Sequence, residues 1–278
     1  MSIWQKLASL DRRWIYSLMA LTVIIPLVFP PKLPIQITVE AQKLFDAVNA
    51  LPDSSTVMLT FDYYASALPE TEPASRGALH QLFRKNCKIV TMTTIPLGGP
   101  SIAERVTRDV AKEYGKEYGV DFVNLGYKAN YVAVLQGMGS SIEMIYPTDN
   151  MGTPVADLPL MRNIKNYADI DFIFVVADNA IVDYWVSIVN AQYGKPIVAS
   201  VTAVSAPKYY PLVASGQMLG LLGGMRGVAE YEMLIKTPGT ATRGMGAQSL
   251  AHFMLIAMVL LGNIGFLLTR RASTGGRP

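Results

Sequence analysis

Asp62, Lys128 and Asp178 are the charged residues placed where an α/β protein does chemistry. Each follows or closes an apolar run that reads as a buried strand. In open α/β sheets, ligands lie beyond the carboxyl ends of the strands, near the point where strand order reverses. That rule collects Asp62, Tyr63 and Tyr64 after the first run, Thr93 and Thr94 after the second, and Lys128 and Asn130 after the third. It adds Asp178 and Asn179 after the fourth, and Thr202 and Ser205 after the fifth. In a sheet ordered 2-1-3-4-5, Asp62 and Lys128 would flank the reversal. Asp62 and Asp178 could share a hard cation through their oxygens, or each could cap the turn that follows its strand. Lys128 would neutralise an anionic substrate.

Gly98-Gly99-Pro100-Ser101 opens a helix, where free N–H groups and the helix dipole favour an anion. Glycine also lets backbone approach a ligand closely. The same four residues make an ordinary tight turn, with proline in the first helical turn and a serine cap. The ligand-binding candidates are therefore Gly98, Gly99, Ser101, Asn130, Asn179, Thr202 and Ser205, with the turn-rich stretch 146–159 as a lid.

Other chemistries lack their parts. The chain holds two histidines, His80 and His252, and neither follows a strand end, so a Ser-His-Asp arrangement has no base. No G-x-S-x-G and no G-x-x-x-x-G-K-[ST] occurs, and paired Cys or His ligands are missing, which argues against zinc. No motif names a cofactor, and no metal site is assigned. The lone cysteine, Cys87, opens an apolar strand and reads as a buried, inert thiol.

The elements that must position these residues alternate. Strands are expected at 56–61, 87–95, 120–125, 171–177 and 196–203, with helices at 39–51, 74–86, 101–118, 131–138, 158–164 and 180–192. Near-continuous apolar strands such as FIFVVA suit burial on both faces. The fold class is α/β: a Rossmann-like or flavodoxin-like, mainly parallel five-stranded sheet.

GQMLGLLGGMRGVAEYEMLI, residues 216–235, reads as the last helix. At about 100° per residue, Gly216, Gly220, Gly223 and Gly227 share a narrow arc, opposite Met218, Leu222, Met225 and Ala229. Each interior glycine costs about 1 kcal/mol relative to alanine. A glycine face therefore implies close packing, against this chain's own sheet or against a neighbouring subunit.

The ends address a membrane. Charged residues make up 16% of the chain, below the roughly 25% usual for soluble domains. Residues 14–31 and 249–269 are apolar and close to the roughly 20 residues that cross a bilayer as a helix. The first resembles a signal peptide in its basic start, but FPPKLPIQ follows where a small-residue cleavage site would stand, so it reads as an uncleaved anchor. Trp14 and Tyr16 suit an interfacial belt. Asn263, inside the second span, would bond another helix or be tolerated near its end.

Lys6, Arg12 and Arg13 precede the first span, and Arg270, Arg271 and Arg277 follow the second. Both termini then face the cytoplasm. The plan is a cytoplasmic tail at 1–13, a span at 14–31, an extracytoplasmic α/β domain at 32–236, a flexible link at 237–248, a span at 249–269 and a tail at 270–278. The chain would be a two-pass protein of the plasma membrane. The tails carry +5 and the remainder −2 of the net +3, so the domain has no basic excess for nucleic acid.

Two functions are expected. One is a non-catalytic subunit or scaffold of a larger membrane complex, its partner a second copy of the chain or other membrane subunits. The alternative is a membrane-tethered enzyme, or binder of a small anionic ligand, with its site at the C-terminal edge of the sheet.

Overall fold

The structure is a computed structural model that describes residues 11–29, 31 and 35–274. The chain forms two compact units, Ile35–Thr242 and the flanking segments before and after it. In the central unit, Thr38 caps helix α2 (Val39–Asn49), which buries Ala41, Leu44 and Val48 on one stripe. Strand β1 (Thr56–Asp62) leads to α3 (Leu68–Arg84), β2 (Lys88–Thr93), α4 (Gly99–Glu113) and β3 (Phe122–Tyr127). An excursion carries α5 (Tyr131–Gly137), α6 (Ile142–Ile145) and short 3-10 turns. Then come β4 (Phe172–Ala177), α7 (Ile181–Tyr184), a π-turn (Trp185–Asn190), α8 (Ala191–Tyr193) and β5 (Ile197–Val201). The last elements are α9 (Ala206–Ala214), β6 (Gly220–Gly223) and α10 (Gly224–Leu234).

The sheet is wholly parallel, with six strands in the order β3-β2-β1-β4-β5-β6. The residues of β1 alternate between two cores. Met58 joins Trp185, Tyr146 and Tyr167 on one face. On the other, Phe174 of β4 meets the Tyr231 ring of α10 at 6.3 Å, and Tyr231 in turn packs on Gly77 of α3. Coverage of both faces explains why β4 is buried throughout.

The α/β class and the five expected strands stand, and three expectations are corrected. The first is strand order. The sheet reverses between β1 and β4, not between β1 and β3, so Lys128 lies past the edge strand β3, two strands away from Asp62. The second is the glycine helix. Its first half contains a sixth strand, β6, paired with β5 through Val198 to Gly220 and Ala199 to Leu221. Local periodicity suggested a helix. The ladder that β5 offers along its free edge, and cover for Leu221 and Leu222, win instead.

The four glycines therefore share no helix face. Gly216 is a left-handed turn residue in open space, Gly220 and Gly223 bound β6, and Gly227 lies in α10 against the Leu222 backbone. A Cβ on Gly220 would stand 2.3 Å from the Leu44 amide nitrogen, so α2 can cross β6 only at a glycine.

The third correction concerns the link. Helix α11 (Thr240–Thr274) begins inside residues 237–248. Its start is fixed by buried Glu232, whose carboxylate accepts from Gly239 N (2.8 Å), Ala241 N (3.1 Å) and Thr242 N (2.8 Å).

Among the described residues, one helical stretch is long and apolar enough to cross a membrane: the 28 residues Thr240–Leu267. Helix α1 (Arg12–Val28) has 17 residues, which gives about 26 Å, and it carries Pro26. It is too short to meet that measure, and Pro30, one residue before the expected end of the span at Pro31, lies outside the described residues. Asn263 bonds within its own helix, to Val259 O at 2.8 Å.

Gly220→Ala is expected to lower the stability of the full-length protein by about 3 kcal/mol in urea unfolding, because the backbone of α2 must move. Gly216→Ala, strained only by its left-handed φ of 79°, is expected to cost about 1 kcal/mol. Similar losses at both sites would restore the helix-face reading.

Candidate functional site

A cleft of about 320 Å³ opens where the sheet reverses. Tyr64 reaches it from the end of β1, and Thr94 and Ile95 from the end of β2. The segment after β4 supplies Asn179, Ala180, Ile181 and Tyr184, and Tyr131 of α5 completes the lining. The reversal creates this gap because the connection after β1 leaves towards one face and that after β4 towards the other. The expected strand-end rule therefore holds, at β1 and β4.

Asp62 lies behind the wall with no exposed surface. Its Oδ1 accepts from the Thr94 amide at 2.6 Å and the Thr94 hydroxyl at 2.8 Å, and its Oδ2 accepts from Trp185 Nε1 at 3.3 Å. Burial raises its carboxyl above the ordinary value of 3.8, against these donors, which favour the anion. Trp185 opens the π-turn. Such turns interrupt α-helices, frequently at functional sites, and this one begins at the residue that bonds Asp62.

Asp178 completes the wall from β4. Its Oδ2 accepts from Tyr64 N at 2.9 Å and its Oδ1 from Asn179 Nδ2 at 3.1 Å. Asn179 also donates to the Asp62 carbonyl at 2.8 Å, and its Oδ1 accepts from Ile181 N, the first residue of α7, at 2.9 Å. Both carboxylates thus act as acceptors for backbone and side-chain donors. Among the described residues, no three His, Cys, Asp or Glu side chains gather as a metal cluster. Tyr146 adds a buried phenol with no hydrogen-bond partner, raised by burial and by the charge of Asp62.

The remaining sequence candidates lie elsewhere. Gly98 is the left-handed N-cap of α4, and Gly99 packs so tightly that a Cβ would meet Thr93 Oγ1 at 2.5 Å. Neither Gly residue lines the cleft, nor does Ser101; Pro100 sits in the first helical turn as the tight-turn reading expects, but the cap is Gly98 and not a serine. Asn130 caps α5 by accepting from Ala133 N at 3.3 Å, next to the lining residue Tyr131. Thr202 and Ser205 bond each other at 3.2 Å at the start of α9. The stretch 146–159 is not a lid over this cleft. Asp149 accepts from Met151 N and Thr153 N at 2.8 Å and from Tyr118 at 2.7 Å, which ties it beside β3.

His80 meets the Tyr114 hydroxyl at 3.0 Å, far along the chain from the strand ends, and burial lowers its pKa. Burial pushes the Cys87 thiol up to about 11, consistent with an inert thiol.

The strand order is that of dinucleotide-binding folds, but the first strand-to-helix turn reads DYYASALPE, with none of the glycines that cradle a pyrophosphate. No protein-family model, curated protein or solved structure matches the chain.

The raised Asp62 carboxyl has a sign. The folded state holds its proton to higher pH than the unfolded state, so this group's contribution is full below pH 3.8 and is lost as pH rises through the folded value. Asp62→Asn is expected to remove that slope: above about pH 4, the urea midpoint of the wild type falls relative to the variant's. Parallel pH profiles would show that the carboxyl is not raised.

Proposed function

We propose that this chain is a membrane-anchored α/β protein that binds a small molecule in the cleft between β1 and β4. One observation carries the reading: the cleft lies at the reversal of strand order and is backed by a fully buried carboxylate that a π-turn tryptophan helps to hold. Buried acids with perturbed titration beside a concave site are the usual mark of function in such folds. The scaffold reading drew on a glycine-lined helix face, and that segment is instead strand β6 followed by α10. Whether the bound molecule is also transformed is left to the ligand's chemistry, because the wall offers no histidine or thiol.

The anchor is α11, and α1 is the second membrane contact in this proposal. Its support is that Trp14, Ile24 and Phe29 of that segment are exposed (71%, 55% and 75%) rather than packed in a core. Arg12 and Arg13 in its first turn, and Arg270 and Arg271 near the end of α11, support a two-pass arrangement with the domain outside the cytoplasm.

Two experiments test this reading. Trp185 is the tryptophan beside the cleft, so Trp4→Phe/Trp14→Phe protein reports on it alone. Titration of the full-length double variant in detergent with adenosine, ribose, glutamate and choline is expected to give a saturable fluorescence change with one of them. Ala180→Phe, which fills the cleft, should abolish it. A response that survives Ala180→Phe, or no response from any of the four, overturns the reading. For the anchor, a chain ending at Gln248 is expected to stay in the membrane pellet after an alkaline wash, held by α1. Its release would leave α11 as the anchor by itself.

A further inference from the structure

Several donors of the cleft wall are turned to the two aspartates behind it. Thr94 sends both its N–H and its O–H to Asp62 Oδ1. A hydroxyl has one hydrogen, so Thr94 Oγ1 keeps only lone pairs for a visitor. Tyr64 N–H is taken by Asp178. The Asn179 amide is spent on the Asp62 carbonyl and Asp178, and its oxygen on Ile181 N. The two aspartates therefore take up the donors of Thr94, Tyr64 and Asn179, and Thr94 Oγ1 turns its lone pairs to the cleft.

The rest of the wall is aromatic. Tyr131 and Tyr184 meet edge to face, with ring centroids 4.7 Å apart and planes at 68°, so the pair forms a corner. Tyr64 contributes a third ring, 43% exposed. Aromatic faces are negative and attract cations within about 6 Å of the ring centroid. Among the described residues no lysine or arginine lines the cleft, and nearby Lys208 is paired with Asp183. An anion would meet the Thr94 Oγ1 lone pairs and three ring faces, with no lysine or arginine to offset them. A cation would meet the ring faces and the Thr94 Oγ1 lone pairs.

We infer that the cleft is a site for an alkylammonium group, the cationic end of a small organic amine. The inference rests on the cleft-binding reading and names the ligand class for it, in place of the anionic ligand expected from Lys128 and the Gly98 turn. Tyr131 and Tyr184 form the cation-binding corner, Tyr64 and Thr94 line the remainder, and the Asp178 carboxylate stands behind the Tyr64 backbone.

The test is calorimetric titration of full-length protein in an uncharged detergent, free of phosphocholine headgroups. The probes are choline, its uncharged carbon isostere 3,3-dimethylbutan-1-ol, and acetate. Choline is expected to bind about tenfold tighter than the isostere. Tyr184→Leu should weaken choline by about tenfold while moving the isostere by less than about threefold, and Tyr184→Phe should restore choline, because the ring and not the hydroxyl holds the cation. An unchanged thermal midpoint identifies the folded variants.

Equal binding of choline and isostere overturns the ammonium class and leaves the cleft reading standing. Acetate binding tighter than choline, or no choline heat at 100-fold excess over the protein, also overturns it. Choline binding that survives Ala180→Phe places the cation elsewhere and overturns both. Choline affinity unchanged in a folded Tyr184→Leu variant removes the aromatic corner, and with it the inference.

Discussion

A carboxylate without exposed surface stands at the one place where this sheet changes direction. Asp62 ends β1, its Oδ1 receives the chain leaving β2 through Thr94, and its Oδ2 receives Trp185 from the helix after β4. Without it the Thr94 N–H and the Trp185 indole N–H would lose their acceptor. Placing an anion there is costly, and the raised carboxyl records that cost. The return is an ordered wall: once Thr94 and Asn179 are fixed by the two aspartates, the side of the wall that faces solvent is fixed as well.

Helix α10 shows the same logic away from the cleft. Glu230 is fully buried, yet it accepts from Thr38 N at 2.9 Å and Thr38 Oγ1 at 2.6 Å, at the start of α2. Glu232 does the same for the start of α11. Each charge meets the unpaired N–H groups of a helix N-terminus, where a negative group is favoured and where removing it would strand buried donors. The buried carboxylates of this domain thus all accept from backbone, and Asp62 differs in lying next to an open cavity.

How much of this was legible depended on the range of the interaction. Strands β1 to β5 announce themselves as apolar runs, because burial on both faces is written locally. Strand β6 does not. It has four residues, two of them glycine, and exists because β5 has a free edge and α2 can cross at Gly220. Strand order was equally hidden, and with it the identity of the site. Strand-end reasoning named Asp62, Asp178, Asn179 and Thr94, but it also named Lys128, Gly98, Thr202 and Ser205, which belong to other loops. It passed over Tyr131, Tyr184 and Trp185, which lie up to two helical turns beyond their strands and meet the cleft only because β4 sits beside β1. A helix predicted over 180–192 carries no local mark of the π-turn that turns Trp185 inward.

Two acids two residues apart on α10 hold both the first and the last helix starts of the central unit. The segment from Ile35 to Thr242 therefore leaves the chain and returns to it at a single short helix. In evolutionary and engineering terms it is a cassette. Its ends meet, as the ends of inserted domains do, so the cassette could be exchanged between two flanking helices, or moved to another pair, with Thr38 and Gly239 as its natural seams.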